Sequence, residues 1–277
     1  MSIKQISKNS PLICPICKKH LLLVDNSLLC SNKHTYDISK EGYVNFLSGI
    51  KKSGDLIGDN PEMSIARAEF LNKNYYSALG DSLVSILNYT TEAGASILDL
   101  CCGNGYYSDY IERNSRKSYN IWGFDLSKTM VRLAAKKNKN NNYFVGNLAN
   151  IPIENESFNT ALHLFAPFNE EEYLRVLKKD GILLSVIPGE RHLLGLKEAL
   201  YEYPYLNDEK FFDVKKFRII DRIKISSNIT VINNADINNL LLMTPYYYRT
   251  SAIDKEKLID IESLDTEIAF IIYILKK

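Results

Sequence analysis

Four residues near the start of this chain have the types and spacing of a metal site. Cys14, Cys17, Cys30 and His34 read C-x2-C-x12-C-x3-H. Zinc takes four nitrogen or sulfur donors at tetrahedral corners, and two short chelating pairs on separate turns supply them with little strain. Further along stands Asp99-Leu-Cys-Cys-Gly-Asn-Gly105, which reads as a strand running into a glycine turn. A metal knuckle ahead of a nucleotide-type pocket points to an enzyme that must grip something large.

Glycines in such a turn let the backbone approach a ligand closely, and the helix that follows presents free N–H groups. Twenty residues past Gly105, at the end of the next strand, stands Asp125. A carboxylate at that spacing accepts hydrogen bonds from both ribose hydroxyls of a nucleoside. The alternative is that Asp125 only caps the helix after it. The loop lacks the G-x-G-x-x-G spacing that cradles a pyrophosphate, since Tyr106 and Tyr107 follow Gly105. S-adenosylmethionine therefore fits better than a dinucleotide. Cys101 and Cys102 read as packing in the turn, not as catalytic thiols.

These groups need elements to hold them. The first 37 residues carry short apolar pieces, Leu21-Leu-Leu-Val and Ser27-Leu-Leu-Cys, consistent with a small β-ribbon that needs its metal to fold. Residues 38–60 contain Gly42, Gly49, Gly54 and Gly58 and read as an irregular connector. Helices are expected over 61–74 and 77–89. Strands at 96–100, 119–125, 142–145, 158–165 and 181–187 then alternate with helices at 106–114, 127–137, 169–178 and 191–202. That alternation implies a doubly wound, mostly parallel sheet, a Rossmann-like α/β fold. The C-terminal third is less regular, with a strand near 217–226, a helix near 235–242 and a closing strand near 267–275. The expected domains are a zinc-binding module (1–37), the connector (38–60) and a nucleoside-binding α/β domain (61–277).

Composition agrees. The 277 residues, 45% apolar, suffice for a sizeable core. No stretch approaches a membrane span, and the N-terminus lacks a secretory apolar region, so the cytoplasm is the expected compartment with no membrane partner. Five cysteines, three of them in the metal pattern, fit a reducing environment. Net charge is +1, yet residues 1–57 hold eight lysines against Asp25, Asp37, Glu41 and Asp55. This basic face suits either phosphate capture or plain solvation.

The chain resembles the RlmA (RrmA) family, the zinc-containing 23S ribosomal RNA (guanine-N1)-methyltransferases, over nearly its full length. The residues that carry the resemblance are the metal pattern followed by His34-Thr-Tyr-Asp-Ile-Ser-Lys-Glu-Gly-Tyr-Val-Asn45, then Gly58-Asp, Glu62-Met, Ala66-Arg and Phe70-Leu. Gly105-Tyr-Tyr, Ala166-Pro167, Pro188-Gly-Glu-Arg-His-Leu193 and Met243-Thr-Pro245 complete the set. The resemblance implies a homodimeric class I methyltransferase that modifies one guanine in a hairpin of 23S rRNA, with 1–37 as its RNA-recognition module and 61–277 as its methyltransferase domain. It implies zinc on Cys14, Cys17, Cys30 and His34, and S-adenosylmethionine contacts at Tyr76, Gly103, Asn104 and His192. Asp99, Gly105 and the ribose ligand Asp125 complete the cofactor set. One departure stands out: Cys101 occupies the place of the usual first glycine, so the backbone there is expected to avoid φ > 0.

The implied reaction moves a sulfonium methyl to guanine N1, which is protonated at neutral pH and hidden in a base pair. Phe165 to Phe168, ending the fourth parallel strand, offer rings that could stack the base. No residue stands out as a general base. His163 reads as a satisfied core histidine, and His192 as a cofactor or substrate contact. Tyr246-Tyr-Tyr-Arg249 reads as a stacking and phosphate-binding segment or as a core edge, and His20 as solvated. Two other functions compete: methylation of another RNA or a small metabolite, and a zinc RNA-binding protein with a vestigial pocket.

Overall fold

Apolar residues alternate along the strands, and each alternate set feeds a different core. Ile97, Ile121, Leu162, Leu184 and Ile272 are buried in one cluster, with their neighbours Leu98, Trp122, Ala161, Leu183 and Ile271 in another. A strand apolar on both faces must be covered on both, so helices pack above and below one sheet. The computed structural model that shows this describes residues 10–48 and 61–277. Gly49, Gly54 and the Gly58-Asp59 pair of the expected connector lie outside the described residues.

The N-terminal piece is a three-stranded antiparallel sheet of β1 (Leu21–Val24), β2 (Ser27–Cys30) and β3 (Thr35–Asp37). The β1–β2 hairpin turns tightly through Asp25, whose φ of 53° is the left-handed conformation that two-residue hairpins use. Next comes β4 (Val44–Asn45). The helices α1 (Pro61–Asn72) and α2 (Ser77–Thr90) lead into β5 (Ser96–Leu100), α3 (Tyr106–Asn114), β6 (Asn120–Asp125), α4 (Lys128–Lys137) and β7 (Asn142–Val145). They are followed by β8 (Phe158–Leu164), α5 (Glu170–Val176), β9 (Leu177–Pro188) and α6 (Leu194–Leu200). The chain closes with β10 (Arg218–Ile232), α7 (Asn234–Leu242), α8 (Tyr246–Arg249), α9 (Ala252–Glu256) and β11 (Ser263–Lys276).

The large sheet has eight strands in the order β10-β11-β9-β8-β5-β6-β7-β4. The strands from β4 to β9 run parallel, while β11 and β10 run antiparallel to their neighbours. Strand order reverses between β5 and β8, and in open α/β sheets the crevice at such a switch point takes the ligand. The glycine turn leaves β5 and the Phe165 segment leaves β8, so both open onto that crevice.

Several boundaries differ from expectation, and β9 and β11 both start four residues early, at Leu177 and Ser263. Val44 and Asn45, inside the stretch read as connector, pair with Phe144 and Val145 and extend the sheet. The helix expected over 191–202 begins only at Leu194, because the Leu193 N–H donates to Glu267 O at 2.7 Å and its φ is 59°. Strand β10 runs on to Ile232, paired with β11 throughout. The ribbon also shares a core with the sheet: Leu12, Leu21, Leu28 and Tyr36 pack in one cluster with Phe46, Phe144 and Ile153.

Candidate functional site

The metal-type residues converge. Cys14 and Cys17 lie on one turn, closed by Lys18 N–H donating to Cys14 O at 2.9 Å, and Cys30 and His34 on a second, closed by Lys33 N–H donating to Cys30 O at 2.9 Å. Both lysines are left-handed, at φ 60° and 64°. The four ligand atoms lie within 4.8 Å of one another. His34 Nδ1 is 3.4 Å from both Cys14 Sγ and Cys30 Sγ, and Cys17 Sγ is 3.6 Å from Cys30 Sγ. Sulfurs bound tetrahedrally at the usual ~2.3 Å stand roughly 3.7 Å apart, so the set suits one zinc ion. Burial opposes ionisation of Cys14, but the Tyr36 hydroxyl, 3.3 Å away, and nearby backbone N–H groups outweigh it and bring the thiol down to about 6. Tyr36 was not singled out in the sequence.

The glycine turn is tied to the neighbouring strand. Gly103 N–H donates to Asp125 Oδ2 at 3.0 Å, and Ser127 N–H donates to Asp125 Oδ1 at 2.8 Å. The side-chain cap of α4 is Ser127, which accepts from Met130 N–H. Asp125 thus supports the turn and remains half-exposed at the strand end. At Gly103 a Cβ would meet only Met130 Cε at 3.8 Å, leaving open space for a ligand. At Gly105, by contrast, a Cβ would fall 2.8 Å from Ala134 Cβ and 2.9 Å from Tyr143 Oη. This glycine is required for close packing of α4 against the turn, and as the N-cap of α3 it leaves the first-turn N–H groups without a side-chain cap. Asp99 is buried and accepts from Ser108 Oγ at 2.6 Å; burial pushes its carboxyl up to about 7. It holds β5 to α3 beneath the turn.

Cys101 corrects an expectation. Its φ is 59°, the left-handed conformation the chain was expected to avoid there. The turn geometry is imposed by Cys102 N–H donating to Phe124 O and Gly105 N–H donating to Cys102 O, at 2.8 and 2.9 Å. These bonds hold a cysteine where a glycine would cost nothing.

His192, just ahead of α6, meets Tyr76, the residue that opens α2. Ala269 N–H donates to His192 Nδ1 at 3.2 Å, which places the ring proton on Nε2, 3.4 Å from Tyr76 Oη. Burial lowers the His192 pKa to about 3, so the ring is neutral. Phe270 joins the pair, 4.6 Å from His192 and 5.2 Å from Tyr76 between ring centroids. A cleft of about 1070 Å³ runs beside α3 and is lined by Asn74, Asn104, Tyr106 and Lys136. It reaches the turn only at Asn104, and Gly103, Asp125 and His192 do not line it.

Comparison with known proteins agrees with this geometry. Residues 12–54 match the family described as RlmA, N-terminal, and residues 97–181 match the methyltransferase domain. A 23S rRNA (guanine(748)-N(1))-methyltransferase of Streptomyces fradiae is 32% identical over 190 residues, 68% of this chain and 66% of that protein. The YxjB protein of Bacillus subtilis (strain 168), named as a candidate 23S rRNA (guanine-N1)-methyltransferase, is 30% identical over 199 residues, 68% of each chain. The chain belongs to the 23S rRNA (guanine-N1)-methyltransferase family. The alignments span about two thirds of these relatives' lengths. A demethylmenaquinone methyltransferase of Bacillus velezensis is 28% identical over a shorter stretch, 44% of this chain and 57% of that protein.

In this methyltransferase His163 is fully buried, accepting from Ser185 Oγ and donating from Nε2 to Ala166 O, each at 2.8 Å. Burial lowers its pKa to about 4, which leaves a satisfied, neutral ring. Of the rings after β8, Phe168 is half-buried and stacked on Phe212 at 4.7 Å, whereas Phe165 is 41% exposed. In the tyrosine segment, Tyr246 is buried and donates to Asn207 Oδ1, and Lys255 Nζ covers the Tyr247 ring at 3.8 Å. Tyr248, at 66%, and Arg249 are the exposed members of the segment. His20 is not simply solvated, since it pairs with Glu154 at 2.8 Å and links the ribbon to the methyltransferase sheet. Among the described residues no helix is long and apolar enough to cross a membrane.

Proposed function

We propose that this protein methylates N1 of one guanine in a hairpin loop of 23S rRNA, using S-adenosylmethionine, in the cytoplasm and as a homodimer. The observation that carries the reading is a zinc-type ribbon built into the same core as a methyltransferase sheet. A small substrate would need no such arm. The cofactor contacts in this reading are Tyr76, Gly103, Asn104, Asp125 and His192, with Asp99 and Gly105 shaping the turn from beneath, and zinc on Cys14, Cys17, Cys30 and His34.

S-adenosylmethionine supplies an activated methyl group on a sulfonium. The chain's own part is positional. Asp125, already oriented by Gly103 and Ser127, accepts the ribose hydroxyls. The open space over Gly103 leaves room for the cofactor backbone, and the neutral His192–Tyr76 pair is assigned a further contact with it. Holding nitrogen, carbon and sulfur in line supplies much of the acceleration. Asp125, Gly103 and His192 would hold the cofactor so that its sulfonium methyl could be offered to guanine N1, with the sulfur as leaving group. Neither histidine suits a general base: His163 has both nitrogens engaged, and burial makes His192 a weak base whose lone-pair nitrogen, Nδ1, already accepts from Ala269.

Reverse transcription on unmodified 23S rRNA, incubated with the protein and S-adenosylmethionine, tests this. N1-methylguanine blocks the pairing edge, so one new stop in a hairpin loop is expected. No stop, with cofactor binding intact, would favour a small-molecule substrate, a reading motivated by the similarity to demethylmenaquinone methyltransferases. Sedimentation of the purified protein checks the dimer.

A further inference from the structure

We propose that Phe165 is the ring on which the target guanine stacks, and that His163 is the positioning residue that holds it there. The inference rests on the guanine-methylating reading and narrows it to one side chain.

The backbone at Phe165 is unusual. Its φ is 58°, and for a bulky residue the left-handed conformation is an outlier that persists only when surrounding contacts over-determine it. Here they do. Phe165 N–H donates to Val186 O at 3.4 Å, and His163 Nε2–H donates to Ala166 O at 2.8 Å. Tyr173, fully buried, donates its hydroxyl to Pro167 O at 2.7 Å. Three consecutive residues are thus pinned from below by β9, β8 and α5. The result turns a large apolar ring outward where a chain normally hides one.

The position fits a base. Phe165 leaves β8 at the switch point, across from the glycine turn that leaves β5. Its ring lies 5.6 Å from Phe270, which in turn touches His192 and Tyr76, so one aromatic chain runs from the substrate side to the proposed cofactor contacts. Phe168, the other ring in the segment, is engaged by Phe212. A flipped-out base is gripped by stacking and by hydrogen bonds at its edge, and Phe165 offers the face for the first.

His163 acts through Ala166. Its ring accepts from Ser185 and donates to the carbonyl, and its edge also meets Phe168 and Phe212 at 5.4 Å each. An amide of similar reach can keep both polar contacts; an aliphatic side chain can keep neither.

The test uses the full-length protein and a hairpin transcript of the rRNA carrying the guanine found by the reverse-transcription stop. Single-turnover methyl transfer is measured for Phe165→Leu and Phe165→Trp, with S-adenosylhomocysteine affinity measured in parallel. Loss of one base–aromatic stack is worth about 5- to 150-fold. Phe165→Leu is expected to transfer roughly 30-fold more slowly, within that range, with cofactor-product affinity unchanged, while Phe165→Trp stays near wild type. A transcript with 2-aminopurine at the target position should be quenched by the wild type and less by Phe165→Leu. His163→Leu should reproduce the slow transfer, and His163→Gln should restore most of it. Wild-type rates and quenching in Phe165→Leu would overturn the assignment of Phe165. Equal losses in His163→Leu and His163→Gln would overturn the role of His163. If the wild type binds S-adenosylhomocysteine yet methylates no guanine, the functional reading itself fails and this one falls with it.

Discussion

Gly103 donates its N–H to Asp125 Oδ2 at 3.0 Å, so the acid that ends β6 also braces the turn that leaves β5. One carboxylate therefore shapes the cradle and is available to accept from a ribose. Hydrogen bonds to charged groups are worth about 1.5–3 kcal/mol each, so Asp125→Ala should weaken S-adenosylhomocysteine binding by about 10- to 100-fold. Ser127 still caps α4, but the Gly103 and Ser127 N–H groups lose their acceptor, so the melting temperature should also fall by a few degrees. Calorimetry and a thermal melt on the same variant check both halves. An unchanged affinity would remove Asp125 from the site.

Cys101 is the strained residue of the turn. A left-handed conformation costs a non-glycine residue about 1–2 kcal/mol, and glycine recovers part of that against its greater freedom in the unfolded chain. Cys101→Gly is expected to stabilise the protein by about 0.5–1 kcal/mol and to bind the cofactor at least as well. Cys101→Val, branched at Cβ, should destabilise it. Denaturant midpoints of the two variants compared with wild type decide the matter.

Zinc removal should reach the cofactor pocket. The sequence suggested separate modules, but Ile13 N–H donates to Pro152 O at 3.0 Å and Glu154 N–H donates to Pro11 O at 2.8 Å. Lys18 bonds Asn150, and Phe46 N–H donates to Val145 O, whose residue sits opposite Asp125 in the sheet. Cys14→Ser or chelation is expected to lower the melting temperature of the whole protein and to weaken S-adenosylhomocysteine binding by roughly tenfold or more, since a zinc site contributes folding free energy outright. An unfolded ribbon with unchanged cofactor affinity would show that the two parts are independent.

Three buried groups make stability depend on pH in opposite senses. Burial raises the Asp99 carboxyl to about 7, so between its ordinary value near 4 and about 7 the native state keeps a proton the unfolded chain has lost. That contribution is present below pH 4 and is lost as pH rises through 7, amounting to about 4 kcal/mol. His163 and His192, lowered to about 4 and about 3, work the other way. Their contribution is present above about pH 6.5 and is lost as pH falls toward 3–4. Asp99→Asn should therefore gain stability relative to wild type as pH rises from 5 to 8, because Ser108 can still donate to the amide oxygen. Melting curves across that range, in which the difference stays flat, would contradict the assignment.

What could be read from the chain was local. The Cys14, Cys17, Cys30, His34 spacing, the strand–glycine–helix run from Asp99 to Gly105 and the Asp125 that follows each express a short-range rule: a chelate ring, a close backbone approach, one βα unit's length. The alternation of strands and helices likewise followed from periodicity, and the structure places those elements where the pattern put them to within a few residues, apart from the late start of α6 and the longer β9, β10 and β11. Other features depended on partners far away in sequence. Phe165 and Phe168 look alike until Phe212 folds back and covers one of them. Cys101 becomes left-handed because Phe124 O and the turn's own bonds demand it. His163 is a pin, not a base, because Ser185 and Ala166 take both its nitrogens. Val44 and Asn45 look like connector until Phe144 and Val145 offer them a sheet edge. Covalent reach sets what a short motif can do, while burial and hydrogen-bond completion, settled only when distant segments pack, decide which of its residues remain free to act.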